Sequence, residues 1–120
     1  MNHRVEVGKF GEDFACNYLL QQGYVIQYRN FRCRMGEIDI IAVNNNVLSV
    51  IEVKTRCSHK YGRPSLAVNL AKQKKIYRCA ELYMQVKGII LNMPVLSFDV
   101  FEIIMEGTAV KEFHHYPHCF

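Results

Sequence analysis

The sequence predicts an α/β (α+β) domain in which a mixed β-sheet is flanked by helices, in the order α-β-β-β-α-β with a terminal strand or tail. Three observations carry this. Two stretches place apolar residues at spacings of three and four, the helical period. Between and after them lie runs rich in β-branched and aromatic residues. A long helical stretch also separates the third such run from the fourth, which is the usual way for a chain to return parallel to the strand it left.

In residues 5–22, Val7, Gly11, Phe14, Ala15, Tyr18 and Leu19 form the apolar stripe of a first helix, and Gly23 supplies its stop. Strands are expected at 24–28, 38–43 and 47–55. Asn44, Asn45 and Asn46 separate the last two, and because asparagine tolerates left-handed backbone this connection reads as a hairpin. A loop with Gly62 and Pro64 leads into a second helix over 65–86, striped by Val68, Ile76, Cys79, Ala80 and Tyr83 and ended by Gly88. Strands near 95–104 and 109–113 complete the order, and 114–120 reads as a flexible tail.

The 120 residues fit one domain, 1–120, since no repeat or Pro/Gly/Ser-rich linker divides them. Five cysteines, an odd number with no C-x-x-C pair, argue against a disulfide framework and against zinc ribbons, so reduced thiols are expected. With no secretory leader and no run of about 18 apolar residues, the expected location is cytoplasmic, away from membranes.

The net charge is only +4, but residues 28–78 hold eleven basic side chains against three acids, Glu37, Asp39 and Glu52, while both flanks are net acidic. A basic belt suits a polyanion such as nucleic acid; a solvated face of lysines is the plainer explanation. The three acids inside it need a reason. If Asn45 and Asn46 form a two-residue loop, Asn44 pairs with Val47, which sets Asp39 opposite Glu52 and Glu37 opposite Lys54. A four-residue loop gives the same register, and a three-residue loop without a bulge does not. Two carboxylates about 5 Å apart on a half-buried sheet repel by roughly 3 kcal/mol, so something positive must offset them. Lys54 is one candidate; a divalent cation held between the oxygens is the other. Glu12, on the border of the first helix's stripe, could face the same site. The alternative is a surface ion-pair cluster of Glu37, Lys54, Glu52 and Arg56 across the hairpin.

The run Gly36-Glu37-Ile38-Asp39, twelve residues, then Glu52-Val53-Lys54-Thr55-Arg56 resembles the D…E-x-K metal site of the restriction-endonuclease-like PD-(D/E)XK nuclease superfamily. It is more similar still to the YraN family, small bacterial proteins described as predicted endonucleases. Gly11-Glu12 with Ala15, Tyr18-Leu19, Gly23-Tyr24, Arg29-Asn30, Gly62, Pro64, the spaced Val68, Lys72, Ile76, Ala80 and Tyr83, and Phe98-Asp99-Val100 carry the likeness across residues 8–103. The chain departs from the pattern at Ser97, where an arginine often precedes Phe-Asp-Val. The resemblance implies a restriction-endonuclease-like core and a metal-dependent endonuclease. Asp39 and Glu52 would hold Mg²⁺ or Mn²⁺, Lys54 would be the catalytic lysine, and Glu12 the first-helix acid, with Glu12 and Glu37 as further candidate ligands. Arg32, Arg34, Arg56, Lys72 and Lys75 would contact nucleic acid, DNA favoured over RNA. The archaeal Holliday-junction resolvases are a similar branch, which brings branched DNA in as a substrate by analogy. A homodimer is a candidate assembly, because nicking both strands needs two sites. The alternatives are a nucleic-acid-binding or adaptor module that keeps the fold without catalysis, and a protein-interaction domain whose hairpin charges are structural.

Other residues carry two readings each. His114, His115, His118 and Cys119 have metal-ligating chemistry but sit at a terminus. Tyr28, Phe31, Tyr61 and Tyr77 interleave with basic residues and fit either base stacking or ordinary packing. Asp99 reads as a structural acid and Asn30 as a turn residue.

Overall fold

Asn45 and Asn46 both adopt left-handed backbone, with φ of 50° and 61°, and join two antiparallel strands in the expected register from Asn44↔Val47 to Ile40↔Ile51. Around this hairpin a computed structural model describes residues 3–57, 68–89 and 94–120. Its elements are α1 (His3–Gln21), β1 (Val25–Cys33), β2 (Gly36–Asn44), β3 (Val47–Arg56), α2 (Leu70–Lys87), β4 (Val95–Glu106) and β5 (Ala109–Tyr116). The five strands lie in the sheet in chain order, antiparallel throughout except for parallel β3 and β4 on either side of the α2 crossover. The mixed sheet flanked by helices is the predicted architecture. No helix among the described residues is long and apolar enough to cross a membrane.

The differences lie where charge or capping outweighs apolar pattern. β1 continues to Cys33 and turns over Arg34 and Met35 into Gly36, forming a second hairpin. Sequence periodicity misses it because β1 is an edge strand, mostly exposed, and so tolerates the charged run Arg29 to Arg34. α2 begins at Leu70 instead of near residue 65, because Asn69 takes an extended conformation and its side chain accepts the Lys72 N–H at 2.9 Å. The loop carrying Tyr61, Gly62 and Pro64 lies outside the described residues.

Both faces of the sheet are covered. On one, Ile76, Cys79, Ala80 and Tyr83 of α2 pack on Ile38, Ile41, Leu48, Val50 and Val100. On the other, Ala15 and Leu19 of α1 pack on Ile40, Ala42, Ile51, Phe101 and Ile103. Phe14 and Tyr18 set their rings edge-on to Phe113, with centroids 5.0 and 4.9 Å away. The α1 face sits close because Gly11 is buried against β3. A Cβ at this position would overlap Thr55 Oγ1 and rest in ordinary contact on Ile103 and Val53 at 3.5 Å. Gly11→Ala is expected to cost about 1–3 kcal/mol, read by urea unfolding, since the added methyl overpacks the helix–sheet contact.

The C-terminal residues, expected as a flexible tail, are held. His114 to Tyr116 belong to β5, and the Cys119 N–H donates to the Phe98 carbonyl at 2.7 Å. Asp99, wholly buried on β4, anchors this end. It accepts from the Ser97 hydroxyl and, at 3.2 Å, from the His118 N–H, and its other oxygen is hydrogen-bonded to His115 Nε2 at 2.7 Å. Phe120 lies beside Tyr77 and Phe98, with centroids 6.1 and 5.8 Å away.

Candidate functional site

Besides the register shifts between Ile26 and Tyr28 of β1 and between Ile104 and Met105 of β4, the β1–β2 and β2–β3 ladders both loosen at the level of Asp39. β1 pairs with β2 through Arg29↔Ile40 and Phe31↔Ile38, leaving Asn30 and Asp39 unpaired between them, and Asn30 takes a left-handed φ of 54°. Side-chain alternation slips at the same point: Ile38 and Ile41 both face α2, while Ile40 faces α1. The β2–β3 ladder ends one step earlier, at Ile40↔Ile51, and the Asp39 carboxylate takes over by accepting the Val53 N–H at 2.8 Å. The strands therefore part where the acids stand.

Glu52 follows Leu48 and Val50 by alternation and so points to the α2 face, where it is only 3% exposed. Lys72 on the first turn of α2 reaches it, Nζ to Oε2 3.0 Å, while Oε1 is buried with no hydrogen-bond partner among the described residues. Burial pushes the Glu52 carboxyl up to about 7, and neighbouring Asp39 adds to the rise against the pull of Lys72 and Lys54. Asp39 is raised as well, chiefly by burial, although the Val53 N–H and Lys72 favour its charged form. Lys54 is lowered by burial and by the nearby Lys72 ammonium. Desolvation pulls Lys72 down, but its charge and hydrogen-bond contacts with Glu52, a hydrogen bond with Lys54 and the Asp39 charge together leave it raised.

Glu12 comes from α1 toward the same point. Its carboxyl is raised by burial first and by Asp39 second. The Asn30 side-chain amide, oriented to its acceptor, donates to Glu12 Oε1 at 2.6 Å. Beside it Arg29 is bound to Asp13 at 2.6 Å. Asp39, Glu52, Lys54 and Glu12 are thus brought together from β2, β3 and α1, and Lys72 joins them from α2.

Other residues go elsewhere. Glu37 is exposed and pairs with Arg32 at 3.0 Å, and Glu102 is the carboxylate near Arg56, 3.8 Å away. The cross-strand cluster of Glu37 with Lys54 and Glu52 with Arg56 is therefore not what forms. Arg56 is turned inward, its side chain only 11% exposed, beside the buried Glu102 carboxylate. Arg32, Arg34, Lys75 and Arg78 do share a surface, an open depression with Cys33, Met35, Gly36 and Glu37 between the β1–β2 turn and α2. Phe31 packs edge-on to the buried Tyr83 and Tyr77 to Phe98 at 4.7 Å, while Tyr28 touches Tyr83 but stays exposed. Among the described residues no group of three or more His, Cys, Asp and Glu side chains could hold a metal, the C-terminal histidines included.

Sequence reasoning undervalued two residues. Asn30 was legible only as a turn former, and its left-handed tolerance is the signal that a strand could break there. Lys72 was placed near phosphate, whereas it holds Glu52 directly; the N-cap at Asn69, which fixes where the helix starts, is the signal that aims it.

A five-stranded mixed sheet between two helices, with buried carboxylates and lysines gathered where its ladders part, defines a small α+β protein built around one charged site. The chain belongs to the uncharacterised protein family UPF0102, the YraN family, whose model matches residues 11–103. It is 50% identical over 100 residues to UPF0102 proteins of Clostridium botulinum strains 657 and Hall, covering 83% of this chain and 80% of each relative. It is also 48% identical over 106 residues to a UPF0102 protein of Clostridium tetani, covering 88% of this chain and 85% of that one.

Proposed function

We propose that this chain is a metal-dependent phosphodiesterase acting on nucleic acid, DNA above RNA, at the cluster of Asp39, Glu52 and Lys54. The observation that carries the reading is Glu52: a buried carboxylate with one oxygen unsatisfied among the described residues, set beside a second carboxylate. Asp39 and Glu52 are hard oxygen donors and would hold Mg²⁺ or Mn²⁺, with water and a substrate phosphate completing the coordination, as is usual for Mg²⁺. Such a cation supplies Lewis-acid polarisation of the phosphoryl oxygen. Lys54, its pKa depressed by burial and Lys72, is suited to orient a water and take up its proton. Lys72 offsets the charge of the two acids, and Glu12, held by Asn30, closes the α1 side. Arg32, Arg34, Lys75 and Arg78 offer the flanking backbone a cationic surface.

One observation favours a second reading, a non-catalytic nucleic-acid-binding module. The Lys72 ammonium already pairs with Glu52, which could make the cluster self-neutralising. Calorimetric titration with Mn²⁺, in the presence of a short oligonucleotide, separates the two. The wild-type chain is expected to bind, Asp39→Asn to bind at least tenfold more weakly while remaining folded, and only the wild type to cleave junction, flap or single-stranded DNA. A folded wild type without Asp39-dependent binding, and with salt-sensitive oligonucleotide affinity, selects the module.

A further inference from the structure

We propose that Cys33 and Cys79 form a reversible disulfide that ties the end of β1 to α2. The five cysteines are free, and of these the two Sγ atoms of Cys33 and Cys79 lie 2.9 Å apart, less than about 1 Å from covalent S–S separation. The two residues are 46 positions apart in sequence and are brought together by packing: Cys79 is wholly buried in the α2 layer, and Cys33 lines the open basic depression. Access therefore orders the chemistry, because a reagent in the depression meets Cys33 first.

Electrostatics agrees with this order. Partial burial raises the Cys33 thiol, but hydrogen bonds from Cys79 and from the backbone at Met35 and Gly36 outweigh it and leave it below the ordinary thiol value. Burial and Cys33 push Cys79 up to about 12. Arg32, Arg34, Lys75 and Arg78 around the depression attract a small anionic disulfide such as oxidised glutathione. The Cys33 thiolate attacks that disulfide, forming a mixed disulfide and releasing one small thiolate. Cys79 then gives up its proton, attacks Cys33 Sγ and expels the second small thiolate. One small disulfide is reduced to two thiols as two protein thiols become one bridge. The bridge joins the end of β1, which carries Arg32 and runs into the turn at Arg34, to the helix that carries Lys75 and Arg78, fixing both walls of the depression. The proposal stands whether or not the chain is a nuclease.

The test is to equilibrate the full chain in reduced and oxidised glutathione at graded ratios, quench with acid, alkylate with N-ethylmaleimide and map the peptides. The expected result is the loss of two alkylatable thiols, a Cys33–Cys79 linked peptide, reversal by dithiothreitol, and a Tm roughly 5–15 °C higher in the bridged form. Cys33→Ser, a change at a partly exposed position, is expected to fold and to show no bridge. Both thiols remaining alkylatable, a stable glutathione adduct on Cys33 alone, or linkage through Cys57 or Cys119 would overturn the proposal.

Discussion

Glu52→Gln is expected to make the protein more stable at pH 8 by about 2–3 kcal/mol, while changing little at pH 4. Burial and Asp39 raise this carboxyl from 4.5 to about 7 in the folded chain. Below pH 4.5 the group is protonated in both states and carries no penalty. Between pH 4.5 and 7 the folded chain keeps a proton that the unfolded chain has released, so stability falls as pH rises through that window. Above it the buried charge is fully exacted. Asp39 and Glu12 are raised too, and their contributions have the same sign. Glutamine removes the charge and keeps the shape, so urea unfolding at several pH values should show the pH slope reduced and stability gained at the alkaline end. Equal destabilisation at pH 4 and pH 8 would mean that the Lys72 contact outweighs burial.

Asp99→Ala should act on the neighbouring strand β4 and in the opposite sense, lowering stability by about 3–5 kcal/mol. The side chain is wholly buried and serves Ser97, His115 and the His118 N–H together. Removing it takes the buried partner from Ser97 and His115, leaves the His118 N–H only its 3.0 Å bond to Ser97 Oγ, and loosens the segment that ends in Phe120. Hydrogen exchange at the Cys119 amide, bonded to the Phe98 carbonyl, is expected to accelerate along with the fall in Tm. Unchanged protection at that amide, with a stability loss under about 1 kcal/mol, would show that the tail is held by Phe120 packing instead.

What could be read in the sequence is what short-range chemistry specifies. The Asn45–Asn46 turn set the β2–β3 register, and with it the meeting of Asp39 and Glu52, because left-handed turn residues and period-two alternation are both local. Gly23 and Gly88 marked both helix ends for the same reason. The β1–β2 turn was hidden by its own composition, since an edge strand need not alternate apolar and polar residues. Partner choice was hidden as well. Glu37 turns to Arg32 directly across the unread β1–β2 hairpin, whereas Glu52 turns to Lys72 and Glu102 to Arg56, pairings that depend on how α2 and β4 dock and that spacing along one hairpin does not encode. The anchoring of the C-terminus by Asp99 is non-local for the same reason, since it rests on a strand fifteen or more residues away.

Because the strands lie in the sheet in chain order, the pairings β1–β2, β2–β3 and β4–β5 are hairpins that close over short loops. Only β3–β4, beginning at Val47↔Val95, must join distant parts of the chain. Loop-closure entropy leads us to expect that crossover to close last in folding, with β1 to β3 forming first. Asp39, Glu52 and Lys54 belong to the early three-stranded meander, whereas Lys72 arrives with the crossover helix. The two acids are thus close neighbours in a half-formed sheet still open to water, and become buried charges only as the last pairing closes and delivers the lysine that offsets them.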